Sequence, residues 1–246
     1  MNHRRIAALA IAATLAIAAC GDDEPVEDLS ARSPAANDDA DSATDGDGDT
    51  SLNSPSDGPR STVPPDLPDS LIGSIGPVDV IGDPLPPLPD GGADPARGAP
   101  APVLVGEDFD GRTVRIDAVA AGPTMVVFLA HWCPHCNDEI PVINGLRDDG
   151  RLPASLNVVG ISTSVAPDRP NFPPSEWLDR RDWQFPVMAD GVDFDANTLV
   201  AANAFGVTGF PFVALLDADG TVAARWSGGL GADAILSLIT SSLELG

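Results

Sequence analysis

An uninterrupted apolar run, Thr124-Met125-Val126-Val127-Phe128-Leu129-Ala130, leads directly into His131-Trp132-Cys133-Pro134-His135-Cys136. A short continuous run of this kind reads as a buried strand. The segment from Pro134 to about Arg147 reads as a helix. Proline suits its first turn, where the missing N–H would be unpaired anyway, and Pro141 interrupts its hydrogen-bond ladder further on. Two cysteines with two residues between them, placed where a buried strand turns into a helix, stand one helical turn apart. A pair at that spacing serves either a redox couple or half of a metal site.

The chain around this junction alternates strand and helix signals. Val103-Leu104-Val105 and Thr113-Val114-Arg115-Ile116 flank Asp110-Gly111, a hairpin signal. Residues 156–162 read as a second buried strand and 174–179 as a short helix with proline and acid near its start. Phe185 to Met188 fits an edge strand or a loop, and Asn197 to Phe205 a helix of small residues. Phe212 to Leu216 and Thr221 to Trp226 surround Asp219-Gly220, a second hairpin signal. Ala232 to Leu243 closes the chain as an amphipathic helix, with Ile235, Leu238, Ile239 and Leu243 along one side. This order predicts an α/β sandwich: a mixed sheet with helices on both faces.

The N-terminal part is different in kind. Met1-Asn2-His3-Arg4-Arg5 is a cationic start, and Ile6 to Ala19 is an apolar run too short to span a membrane. Residues 1–19 therefore read as a signal peptide. Ile17-Ala18-Ala19-Cys20 resembles a bacterial lipobox, which implies lipidation of Cys20, a membrane anchor and an extracytoplasmic, cell-membrane location. Outside the cytoplasm disulfides persist. Residues 20–100 are expected to form a disordered acidic tether. They lack periodicity, hold 18 acids against three arginines, and carry proline clusters at 64–68 and 84–89 that favour extended chain. The folded domain is placed at 101–246. The formal net charge is −24, with acidic excess in both the tether and the domain, and this argues against nucleic acid as a partner.

The folded part resembles the thioredoxin superfamily, most closely its TlpA/ResA-like extracytoplasmic branch. The resemblance rests on Trp132-Cys133-x-x-Cys136, on Glu139 with Pro141 after it, and on Gly209-Phe210-Pro211 ahead of a late strand. It implies a thioredoxin-like α/β fold with an N-terminal β-hairpin and a thiol-disulfide oxidoreductase whose only redox group is the Cys133–Cys136 pair, with no added cofactor. Cys133, at a helix N-terminus that stabilises a thiolate, is the expected exposed nucleophile, and Cys136 the buried resolving thiol. His135 tunes the thiolate; the Pro134-His135 dipeptide is similar to that of DsbA-like oxidases. By the same resemblance, Glu139 is expected beneath the cysteines, shuttling protons or tuning their pKa. The thioredoxin-type acid, six residues before Cys133, is absent because Val127 stands there. The resemblance also implies that Pro211 follows a cis peptide bond and faces the disulfide, and that with Phe210 and Trp132 it forms the docking surface for substrate. The implied partners are protein thiols and disulfides and an upstream redox partner.

A different class of function stays open from the residues alone. His131, Cys133, His135 and Cys136 have the chemistry for copper or zinc, which would make the protein a metallochaperone of the same fold. Against it, side chains on successive residues of a strand end and a helix start seldom converge, so the site is expected to hold no metal. No feature suggests peroxide reduction.

Overall fold

A computed structural model of the protein describes residues 67–243. The signal peptide, Cys20 and the tether up to residue 66 lie outside the described residues. A single 3-10 turn at Asp69–Leu71 precedes β1 (Val78–Ile81), β2 (Val103–Glu107) and β3 (Thr113–Ile116). Then come α1 (Ala118–Ala121), β4 (Thr124–Leu129), α2 (Pro134–Asp148), β5 (Asn157–Ser162), α3 (Pro174–Arg180) and β6 (Val187–Ala189). The two-residue strands β7 (Val192–Asp193) and β8 (Thr198–Leu199), α4 (Val200–Ala204), β9 (Phe212–Leu216), β10 (Val222–Ser227) and α5 (Ala232–Ser242) complete the order.

The central sheet runs β10-β9-β4-β5-β6, with β4, β5 and β6 parallel and β9 and β10 antiparallel to their neighbours. β4 is the middle strand, and all six of its residues are buried. Alternation of side chains along a strand explains why its sequence is apolar throughout. Val126 and Phe128 enter one core while Met125, Val127 and Leu129 enter the other. Phe128 meets Phe205 and Phe212 at ring-centroid distances of 5.5 and 5.9 Å. The opposite core holds Ile140, Ile143 and Leu146 of α2, Trp177 of α3, and Ile235 and Ile239 of α5. Asp110-Gly111 and Asp219-Gly220 do close hairpins, each glycine at positive φ (+78° and +84°) as those turns demand.

Helices stand on both faces, but unequally. α2, α3 and α5 cover one. The other is closed by the short α1 and α4 and by a separate antiparallel sheet, β1-β2-β3, so the expected hairpin β2–β3 gains a third strand. That strand corrects the expected domain boundary, because the folded part begins well before residue 101. Val78, Val80, Leu85 and Ala96 are all buried. The segment after β1 crosses the body as a strap. Leu85 N–H donates to Ala204 O, Leu88 N–H to Gly206 O, and Gly98 N–H to Val222 O. Arg225, 7 % exposed, fastens it: the guanidinium donates to the Asp94 carboxylate, to Pro86 O at 3.0 Å and to Phe205 O at 2.7 Å. Arg225 in turn holds the Asp94 carboxyl below its ordinary range. The strap lacks helix or strand periodicity because its prolines preclude both. Its order comes from backbone hydrogen bonds to distant elements.

A second buried carboxylate fixes α4. Asp190, 1 % exposed, accepts from Ala201 N–H at 2.7 Å, Ala202 N–H at 3.3 Å and Thr163 Oγ1–H at 2.6 Å. It thus satisfies amides that a five-residue helix leaves unpaired.

Candidate active site

The end of β4 and the start of α2 hold the cysteines. Cys133 occupies the N-cap position of α2, with Pro134 in the first turn. Cys133 therefore stands at the positive end of the helix, although its sulfur accepts no capping hydrogen bond from the first-turn amides. Asn137 N–H donates to Cys133 O at 3.2 Å and Asn137 Nδ2–H to the same oxygen at 2.9 Å. The Asn137 Oδ1 accepts from Trp177 Nε1–H and from Arg181. Asn137 thus ties this helical turn to α3, a role that the sequence did not suggest.

Both cysteines are free thiols. Cys136 is fully buried, and Ala130 N–H donates to its sulfur at 3.5 Å. Burial pushes the Cys136 thiol far up, and the neighbouring Cys133 and Glu139 push it further in the same direction. Cys133 is more enclosed than expected. Its exposure is 6 %, a narrow opening in place of a freely exposed nucleophile, because the Phe210 carbonyl stands 3.4 Å from the sulfur. That carbonyl belongs to a cis Phe210-Pro211 peptide, the conformation expected at this position. The structure thus brings the Gly209-Phe210-Pro211 loop over the CxxC motif.

Glu139 lies beneath the pair, three residues beyond Cys136 on the same helix face. It is 2 % exposed. Oε2 accepts from Leu230 N–H at 2.9 Å, while Oε1 is buried with no hydrogen-bond partner among the described residues. Burial raises this carboxyl to about 7, opposed only by the Leu230 hydrogen bond. Gly229 packs closely here, since a Cβ on it would lie 3.0 Å from Oε2 and the carboxylate would have to shift by a few tenths of an ångström. Neither Gly229 nor Leu230 was legible as part of a site. The Gly228-Gly229 pair following β10 was the available signal.

Trp132 spans the cleft. Its Nε1–H donates to Ser164 O at 2.7 Å, and its ring meets Phe210 edge-on at 6.1 Å. A cavity of about 350 Å³ adjoins Phe210 and is lined by Leu199, Asn203, Val207 and Thr208 among others. His135 is exposed beside the cysteines. His131 is not available to join them in a metal cluster. It is fully buried, its Nδ1 lies 2.7 Å from Pro170 O, and its Nε2 accepts from Ala166 N–H at 3.1 Å. That pattern puts the proton on Nδ1. Burial pushes the ring toward the neutral form, and Asn171 Nδ2–H donates to its carbonyl at 2.9 Å. His131 is a pin for the loop 164–171, and no group of three or more potential ligands gathers among the described residues.

Residues 97–228 match the AhpC/TSA family, and the chain belongs to that family. A curated relative, the thiol:disulfide interchange protein CycY of Rhizobium leguminosarum bv. viciae, is 36 % identical over 107 residues, covering 43 % of this chain and 50 % of that protein. The chain thus spans about half the length of the curated relative it matches. Among solved structures, a thiol:disulfide interchange protein of Chlorobium tepidum TLS is 25 % identical with a TM-score of 0.47, covering 61 % of this chain and 99 % of that one. StoA from Bacillus subtilis is 18 % identical with a TM-score of 0.43, covering 58 % and 98 %.

Proposed function

We propose that this AhpC/TSA-family chain is a thiol-disulfide oxidoreductase acting on protein thiols and disulfides outside the cytoplasm, through Cys133 and Cys136. The observation that carries the reading is a slightly open thiol paired with a sealed one, above a buried carboxyl that keeps one oxygen unpartnered.

The chemistry follows from those three groups. In the reducing direction, Cys133 as thiolate attacks one sulfur of a client disulfide. The client S–S bond breaks, its second sulfur leaves with the electron pair and takes a proton, and a Cys133–client mixed disulfide forms. Cys136 must then lose its proton, which its burial opposes. Glu139, raised to about 7 and within electrostatic reach, accepts that proton on Oε1. The Cys136 thiolate displaces the client thiol from Cys133, and the protein disulfide closes. Two electrons have passed from the dithiol to the client. Oxidation of a client is the reverse path, through the same groups. The Phe210-Pro211 backbone, Phe210 and Trp132 supply the docking surface, and His135 tunes the Cys133 thiolate. An upstream redox partner resets the pair, and a lipid on Cys20 holds the protein at the membrane.

The test is the reduction potential of the Cys133–Cys136 couple in the full chain, with peptide exchange measured alongside. A couple between roughly −270 and −120 mV, the span of C-x-x-C proteins, supports the reading, and its position within that span sets the direction of electron flow. Failure of the two cysteines to form a disulfide with each other, or peroxide turnover faster than peptide exchange, sinks it. Lipid labelling that survives Cys20→Ser removes the anchor.

A further inference from the structure

Arg112, Arg115, Arg147, Arg151, Arg180 and Arg225 each hold a carboxylate within ion-pair distance. Arg169 does not. Its guanidinium carbon lies 4.8 Å from the centroid of the Trp132 ring, next to Cys133, and its N–H donors meet no acceptor among the described residues. Arg169 is exposed, yet its backbone is fixed from both sides. His131 grips Ala166 N–H and Pro170 O, Asn171 anchors to the His131 carbonyl, and Arg169 N–H itself donates to Ala166 O at 3.0 Å. Ser164 and Asn171, at φ +52° and +66°, turn the loop at its two ends.

From this placement, and resting on the exchange reading above, we propose that Arg169, laid on Trp132, is a specificity determinant that selects clients carrying an acidic side chain beside the reacting cysteine. Stacking a guanidinium on an aromatic ring uses its face and leaves the edge donors free, in a fork that fits a carboxylate. The cation is held before a client arrives, so little ordering entropy opposes the contact. The acidic excess of the protein works against anionic clients at long range. At physiological salt, however, charges beyond about 8 Å are largely screened, and a contact at Arg169 lies inside that distance.

The test uses the reduced full chain and three short cysteine peptides activated as 2-thiopyridyl disulfides, identical except for glutamate, glutamine or arginine two residues from the cysteine. Cys133 attacks the peptide sulfur, 2-thiopyridone leaves with the electron pair and a proton, and Cys136 then releases the peptide thiol. Release of thiopyridone is followed by absorbance. The glutamate peptide is expected to react about two- to fivefold faster than the glutamine peptide, the range of one exposed ion pair, with the difference shrinking as salt rises. Arg169→Gln should bring the ratio of glutamate- to glutamine-peptide rates to one, while Arg169→Lys should keep part of the preference. Equal rates for all three peptides, or a preference that survives Arg169→Gln, overturns the proposal and leaves the exchange reading standing. Absence of any release that depends on Cys133 would instead overturn the exchange reading itself.

Discussion

Consider Glu139→Gln, a change that preserves shape and lets the amide oxygen keep accepting from Leu230 N–H. The wild-type carboxyl ordinarily titrates at 4.5 and is raised by burial to about 7. Its folded-state value lies above its unfolded one, so the folded protein binds the proton more tightly. Below 4.5 the group is neutral in both states and costs nothing. As pH climbs from 4.5 to 7 the unfolded chain ionises first, and stability falls until the folded carboxyl also ionises. At about 1.4 kcal/mol per tenfold difference in proton affinity, the ionised buried carboxylate costs the fold about 3 kcal/mol above pH 7. Glutamine carries no such cost. Urea titrations of the reduced protein should therefore show the variant gaining on wild type as pH rises, from near nothing at acid pH to about 3 kcal/mol above neutrality. Exchange should move the other way. Without an acceptor for the Cys136 proton, turnover at neutral pH should fall by about a hundredfold, and the inflection near 7 should vanish from its pH profile. A stability difference that is constant with pH, or that grows toward acid, would refute the assignment of a buried, titrating Glu139. Retention of the inflection would refute its role as proton acceptor.

Three further substitutions probe the body that holds the site. Gly206→Ala places a side chain at φ +64° and drives its Cβ into the Pro86 carbonyl; a loss of at least about 2 kcal/mol in chemical denaturation is expected, with new proteolytic cleavage in the strap. Arg225→Met strips donors from Asp94, Pro86 and Phe205 together, and should cost about 3–5 kcal/mol. Part of that should return when Asp94→Asn is added, measured as a double-mutant cycle. Asp190→Ala leaves two α4 amides and the Thr163 hydroxyl without their acceptor and should cost about 2–3 kcal/mol, with the increased amide exchange confined at first to α4.

Much of this protein is written locally, and those parts read cleanly. β4 must be covered on both faces because it has no polar alternation, and α2 must start at Pro134 because nothing before it is helical. The two Asp-Gly turns set their hairpins. The strap, by contrast, reads as disordered, since proline removes donors and periodicity alike. What orders it is Arg225, more than a hundred residues away, and the exposed backbone of α4 and β10. α1, β7 and β8 are too short to carry a period. His131 reads as a possible ligand because its type is visible, whereas its two hydrogen-bond partners, Ala166 and Pro170, are backbone groups of no distinctive sequence.

The same division runs through the site itself. The groups proposed to react come from one contiguous stretch, Trp132 to Glu139, so their identities are legible. Their properties come from elsewhere. The Phe210 carbonyl that faces Cys133 lies 77 residues on, and the Gly229-Leu230 turn that packs against Glu139 lies about 90 residues on, its Leu230 N–H opposing the rise that burial imposes. A C-x-x-C motif on a helix start has the positive end of that helix for its first sulfur wherever it occurs. It has a titrating base for its second sulfur only where a later turn closes over the acid without neutralising it. In this chain that condition falls on a backbone N–H at Leu230, which satisfies one carboxylate oxygen and leaves the other unpartnered, as the proposed proton acceptor requires.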